Sequence, residues 1–130
     1  WLRFENGKVV DFGAKERQDS LAQLLSFDEG SSYLGEVALV PYDSPISQSG
    51  ILFFNTLYDE NASCHLALGM GYDTCVEGFA DLSRDELAEM GVNDSVIHVD
   101  FMIGSADLTI KGYDADGNEY AIFENGVWAI

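Results

Sequence analysis

The sequence predicts an α+β fold: a mostly antiparallel sheet with a few short helices, in one compact domain. Three observations lead there. Short strand-like runs recur, divided by Asn-Gly and Asp/Asn/Gly-rich turns. Only brief stretches between them place apolar residues at helical spacing. And 130 residues with 47% hydrophobic content supply one sizeable core, too little for two ordinary domains.

The elements follow in order. Leu-Arg-Phe-Glu-Asn-Gly-Lys-Val-Val-Asp-Phe (residues 2–12) sets Asn6-Gly7 between alternating residues, the strongest short hairpin signal. Residues 15–26 place Leu21, Leu24 and Leu25 at i, i+3 and i+4, which predicts a short amphipathic helix. Gly30 to Ser32 form a turn, and 33–40 read as a strand carrying Glu36, with Pro41 and Pro45 bracketing a loop. The apolar run 51–57 reads as a buried strand or short turn, and 60–70 as a helix. Leu82-Ser83-Arg84-Asp85-Glu86-Leu87 is a capping box with Ser83 as N-cap and Glu86 reaching back, stapled by Leu82 and Leu87. Gly91 ends that helix. Strands are expected at 95–103, 106–113, 119–124 and 127–130, with turns at 114–118 and 124–126. Asp114, Asp116 and Asn118 mimic a calcium loop, but Gly117 falls fourth where an EF-hand has its glycine sixth, and Asn125 stands twelfth in place of Glu, so the stretch is a hairpin turn.

Six basic against 23 acidic residues give a net charge of −17. Nucleic acid and anionic lipid need cationic patches, so neither is an expected partner. No apolar run approaches the roughly 20 residues of a membrane span, and no basic-then-apolar leader opens the sequence. Cys64 and Cys75 have neither zinc-knuckle nor secreted-scaffold spacing, which fits reduced thiols in a cytoplasm. The sequence begins at Trp1 rather than a methionine and is expected to be part of something longer.

Chemistry concentrates in Tyr58–Tyr72. In a helix His65 and Tyr72, seven apart, would share a face, and Glu60 would stand in the first turn, where the macrodipole favours a carboxylate. The only other histidine, His98, lies in the β-branched run Val-Ile-His-Val-Asp-Phe-Met-Ile, where His98 and Asp100 face one side. These segments are expected to meet around metal. A lone histidine on an apolar strand is more often a hydrogen-bonded core residue than a ligand, and both readings use the same His-x-Asp pair.

Leu34-Gly35-Glu36-Val37-Ala38-Leu39-Val40-Pro41, Ser49-Gly50-Ile51-Leu52-Phe53, Asp59–Gly69 and His98–Ser105 occur in this order, ahead of a terminal Phe-x-Asn-Gly-x-Trp at 123–128. Together they resemble the thermophilic dinuclear metalloaminopeptidases, the family of aminopeptidases T and S, over essentially the whole chain. The resemblance implies a hydrolase that removes N-terminal amino acids from peptide substrates. It implies two divalent metal ions, zinc or cobalt, and a homodimer in the full-length protein; mixed carboxylate and imidazole ligands suit manganese as well. It assigns Glu36 as the carboxylate bridging both metals, Glu60, His65, His98 and Asp100 as further metal-site residues, and Tyr72 as the active-site tyrosine. Glu60 serves first as ligand and second as general base for the attacking water. Met70 and Gly71 are not matched. The resemblance also implies an N-terminal domain and one further metal-binding Glu upstream of Trp1, so these residues are the C-terminal catalytic portion and lack one ligand. On this reading all five metal-site side chains converge on one pocket. The alternative is a non-catalytic acidic α+β interaction module, with His98–Asp100 a core pair.

Overall fold

The computed structural model describes residues 1–129. Its strands are β1 (Leu2–Glu5), β2 (Lys8–Phe12), β3 (Leu34–Ala38), β4 (His65–Gly69), β5 (His98–Met102), β6 (Ile110–Tyr113), β7 (Glu119–Glu124) and β8 (Val127–Trp128). Its helices are α1 (Gln18–Leu25), α2 (Pro45–Ser49), α3 (Thr56–Asp59) and α4 (Arg84–Glu89), with short 3₁₀ turns at Gly30–Ser32, Glu60–Ala62, Asp73–Cys75 and Phe79–Asp81. Three sheets form, in strand orders β1-β2, β3-β4-β5 and β6-β7-β8. This is the expected α+β class, with antiparallel sheets and short helices. Among the described residues no helix is long and apolar enough to cross a membrane. The chain forms two compact units, Trp1–Val37 with Leu66–Asp100, and Ala38–His65 with Phe101–Ile130.

In the first unit the β1–β2 turn has Asn6 at φ 50 and Gly7 at φ 79, the two left-handed residues that a two-residue hairpin requires. Helix α1 begins at Gln18, three residues later than the spacing suggests, because Arg17 sits at φ 55 and interrupts the helical backbone. Helix α4 starts where the capping box places it. Glu86 Oε2 accepts from Ser83 N at 2.8 Å, and Ser83 Oγ accepts from Glu86 N. Its end is a Schellman motif: Gly91 N donates to Ala88 O, Val92 N to Leu87 O, and Gly91 takes φ 93. Val9, Leu25, Ala67, Leu68 and Leu87 are buried here.

A polar network replaces apolar packing at one edge of this unit. The Asp28 carboxylate accepts from Ser31 N at 2.8 Å, Ser95 Oγ at 2.9 Å and Val96 N at 2.8 Å. Asn93 Nδ2 donates to Gly30 O at 2.8 Å and to Gly69 O at 2.6 Å. Backbones approach closely beside it. A Cβ on Gly35 would collide with the carbonyls of Gly69 and Met70, and one on Gly69 (φ 96) would collide with the Ile97 carbonyl.

In the second unit Cys64 and Phe123 are fully buried. Cys64 Sγ accepts from Val40 N at 3.3 Å and donates to Val40 O at 3.2 Å. Asn125 (φ 51) and Gly126 (φ 75) repeat the Asn-Gly turn of the first hairpin between β7 and β8. Asp114 organises the 114–118 turn by accepting from Asp116 N, Asn118 N, Asn118 Nδ2 and Tyr120 Oη.

Three expectations are corrected. The helix over 60–70 does not form: α3 and a 3₁₀ turn at Glu60–Ala62 precede strand β4, so the run Leu66-Ala-Leu-Gly belongs to a sheet. Paired strands on both sides of β4 outweigh its helix-compatible composition. Residues 51–57 are not a buried strand. Ile51, Leu52, Phe53, Phe54 and Leu57 are exposed, and Asn55 caps α3 by accepting from Leu57 N. Pro45 does not merely bound a loop; it opens α2 behind the Ser44 cap, where its missing N–H costs nothing. The expected strands at 95–103 and 106–113 are trimmed to β5 and β6, and Ile130 of the expected last strand lies outside the described residues.

Candidate metal centre

Strand β5 carries His98 and Asp100 two residues apart, so both leave the same face. Strand β3 brings Glu36 to them within the first unit. His98 Nε2 lies 3.2 Å from Glu36 Oε2 and 3.2 Å from Asp100 Oδ1. The ring's other nitrogen, Nδ1, lies 2.7 Å from the Met70 carbonyl. A carbonyl only accepts, so Nδ1 donates to it, and Nε2 is the ring nitrogen that faces the two carboxylates. A ring nitrogen and carboxylate oxygens at this distance are held together by something positive between them, a proton or a cation. Asp100 Oδ1 shows the same need: it is buried and makes no hydrogen bond. A buried carboxylate oxygen left unmet is costly.

A divalent cation fits this donor set. The ligand atoms of Glu36, His98 and Asp100 all lie within 4.8 Å of one another. One imidazole with two carboxylates is a mixed set suited to zinc, cobalt or manganese rather than calcium. Hydrogen bonding of the distal imidazole nitrogen to a carbonyl is the usual way a metal-binding histidine is oriented.

The second unit holds a second pair. Glu60 and His65 bring ligand atoms within 4.8 Å of each other. His65 opens β4, is buried, and has Nδ1 3.0 Å from the Ser63 carbonyl, to which it donates. Glu60 stands at the C-terminal end of α3, not in the first turn of a longer helix, so the expected macrodipole argument does not apply to it. Its 3₁₀ turn is tied down by Ser44 Oγ, donating to Asn61 O at 2.8 Å, and by Asn61 Nδ2, donating to Leu57 O at 3.0 Å.

Tyr72 lies beyond the end of β4 at the start of a 3₁₀ turn, and with no helix there it shares no helical face with His65. It meets His98 instead, with ring centroids 4.9 Å apart. A cavity of about 440 Å³ in the first unit is lined by Glu36 and Tyr72 together with Val37, Val76, Met90 and Val92. Sequence reasoning missed Met70, whose contribution is a backbone carbonyl and so leaves no trace in residue type. It also missed Asn93. The only signal was the unmatched Met70-Gly71 pair between β4 and Tyr72.

The chain belongs to the thermophilic metalloprotease (M29) family, whose model matches residues 1–128. Among individual proteins, it is 60% identical to aminopeptidase AmpS of Bacillus subtilis (strain 168), over 98% of this chain and 31% of that protein. It is 56% identical to aminopeptidase 2 of Geobacillus stearothermophilus, again over 98% and 31%. Its fold matches the solved structure of wild-type AmpT from Thermus thermophilus with a TM-score of 0.82 at 40% identity, covering 99% of this chain and 31% of that one. The chain thus spans about a third of the length of the relatives it matches.

Proposed function

We propose that these residues form the metal-binding catalytic portion of a metal-dependent aminopeptidase, which hydrolyses N-terminal amino acids from peptides. The observation that carries the reading is the buried Oδ1 of Asp100, which makes no hydrogen bond, gathered with Glu36 Oε2 around His98 Nε2 at 3.2 Å each. Family membership and the aminopeptidase names of the relatives support it. The activity is that of a protein of the relatives' length, to which this chain contributes ligands.

In this reading Glu36, His98 and Asp100 hold one divalent ion, and Glu60 and His65 contribute to holding a second; zinc, cobalt and manganese suit both sets. Bound divalent ions supply Lewis acidity and bring the pKa of water towards neutrality. The chain's own groups supply orientation. The carbonyls of Met70 and Ser63 keep the protons of His98 and His65 on Nδ1 and aim each Nε2. Glu60 accepts a proton from water when not engaged as a ligand. Tyr72, beside His98 at the cavity wall, donates its hydroxyl hydrogen to charge developing on the substrate carbonyl. Two free thiols, Cys64 and Cys75, support a cytoplasmic setting, and the family resemblance supports a homodimer.

The test is an assay of the full-length protein on aminoacyl substrates. Chelation should abolish turnover, and zinc or cobalt should restore it. Turnover indifferent to a chelator would overturn the metal dependence, and no turnover with or without added metal would leave the acidic interaction module as the better account.

A further inference from the structure

The His98 imidazole is aimed by one carbonyl, so whatever fixes that carbonyl governs the site. Met70 follows Gly69, whose φ of 96 turns the chain out of β4. Its own N–H is held by Ile97 O at 2.7 Å, and its carbonyl accepts from His98. Both of its neighbours are held by a single residue. Asn93 Nδ2 donates to Gly69 O at 2.6 Å, and Asn93 O accepts from Gly71 N at 2.9 Å. The second hydrogen of Asn93 Nδ2 goes to Gly30 O at 2.8 Å, which fixes the amide plane. Asn93 therefore brackets Met70 from both sides, and only one of those two bonds comes from its side chain.

We propose that Asn93 is a positioning residue for the metal centre. It holds the Gly69–Gly71 segment so that the Met70 carbonyl, accepting from His98 Nδ1, keeps the ring turned with Nε2 towards Glu36 and Asp100. This rests on the reading of His98 as a metal ligand. Asn93 itself touches neither metal nor substrate. Its amide is needed because two carbonyls, Gly30 O and Gly69 O, require two donors from one planar group, which neither a hydroxyl nor a carboxylate supplies.

The experiment uses the full-length protein and zinc alone as probe. Zinc affinity is measured by calorimetric titration for the natural protein, Asn93→Ala, Asn93→Ser and Asp28→Asn. Asp28→Asn is the control for general loosening, because it disturbs the neighbouring Asp28–Ser95–Val96 network without touching Gly69. Asn93→Ala should weaken zinc binding by about 10–100-fold, as loss of groups behind a ligand does, and Asn93→Ser by less. In the zinc-loaded natural protein, nitrogen-edited NMR should show the His98 proton on Nδ1 in slow exchange, and in the Asn93 variants that exchange should quicken. Natural zinc affinity in Asn93→Ala, or in Asn93→Ser should the alanine variant not fold, overturns the proposal. So does an equal loss in Asp28→Asn at matched melting temperature. A natural protein that binds no zinc defeats the metal reading instead, so the two failures are told apart.

Discussion

His98 joins two demands in one ring: Nδ1 satisfies a backbone carbonyl and Nε2 faces two carboxylates. Replacing it with alanine separates them. In the full-length protein, His98→Ala should cut turnover by at least about 100-fold, since even groups behind a ligand are worth about 10–100-fold. The melt should fall only by the cost of one unmet carbonyl, about 1–3 kcal/mol. Val99, next to it, is 37% exposed, so the opposite face carries less packing than strand alternation alone suggests. Turnover and melting temperature measured side by side decide it; near-normal turnover with intact zinc content would remove His98 from the site. Asp28 offers a test of acid stability. The backbone N–H of Val96, above all, holds its carboxyl below the ordinary value of 3.8, with help from Ser95, Ser31 and Gly30. The folded pKa lies below the unfolded one, so the unfolded chain binds more protons in that window. The stabilisation is therefore complete above about pH 4 and is lost as pH falls through the depressed value. Asp28→Asn should lower the melting temperature at neutral pH and flatten its decline in acid. An unchanged slope in a melting series down to pH 2 would show that the network contributes nothing.

At the scale of elements, α4 was the most legible part, because capping residues announce their own geometry. Ser83→Ala removes the bond from Glu86 N and should cost about 1 kcal/mol, read as a shift in the denaturation midpoint at constant slope. The two Asn-Gly hairpins were equally plain, since left-handed turns restrict residue type. Strand β5 and its His98–Asp100 pair followed from alternation. Strand β4 did not, and the reason is physical. Leu66-Ala67-Leu68 contains no β-branched residue, and its partners β3 and β5 lie far away in sequence. A short apolar run without a period is typed only by what pairs with it. Glu36 was legible only through the family resemblance, because a single glutamate on a strand reads as a solvent-facing residue. The run 51–57 departs from its expected burial for the opposite reason. Its apolarity suggests burial, while the carboxylate of Asp59, accepting from Phe53 N and Asn55 N, ties the exposed residues 51–55 to the start of α3.

For the whole molecule, charge sets the response to ions. A net charge of −17 destabilises the compact state by self-repulsion, and monovalent salt screens it over a Debye length of about 10 Å at 0.1 M. Melting temperature should therefore rise steadily with sodium chloride. A site-bound cation should act differently, at concentrations set by its affinity. Zinc at a hundredfold excess over its Kd should stabilise by about 2.7 kcal/mol. Chelation should reverse that shift, and added salt should not replace it. A zinc effect that scales only with ionic strength would mean diffuse binding to an acidic surface.

The crowding of Gly35 and Gly69 against neighbouring carbonyls has an evolutionary side. Every amino-acid replacement of glycine adds a Cβ, and at these positions that Cβ meets backbone, which cannot rotate away. Gly7, whose Cβ would meet nothing, is restricted only by its positive φ. A saturation library selected for folded protein should therefore leave both Gly35 and Gly69 as empty columns, whereas Gly7 tolerates asparagine. The segment that aims His98 would then be reachable by drift only through compensating changes elsewhere, so it should alter more slowly than the side chains around it.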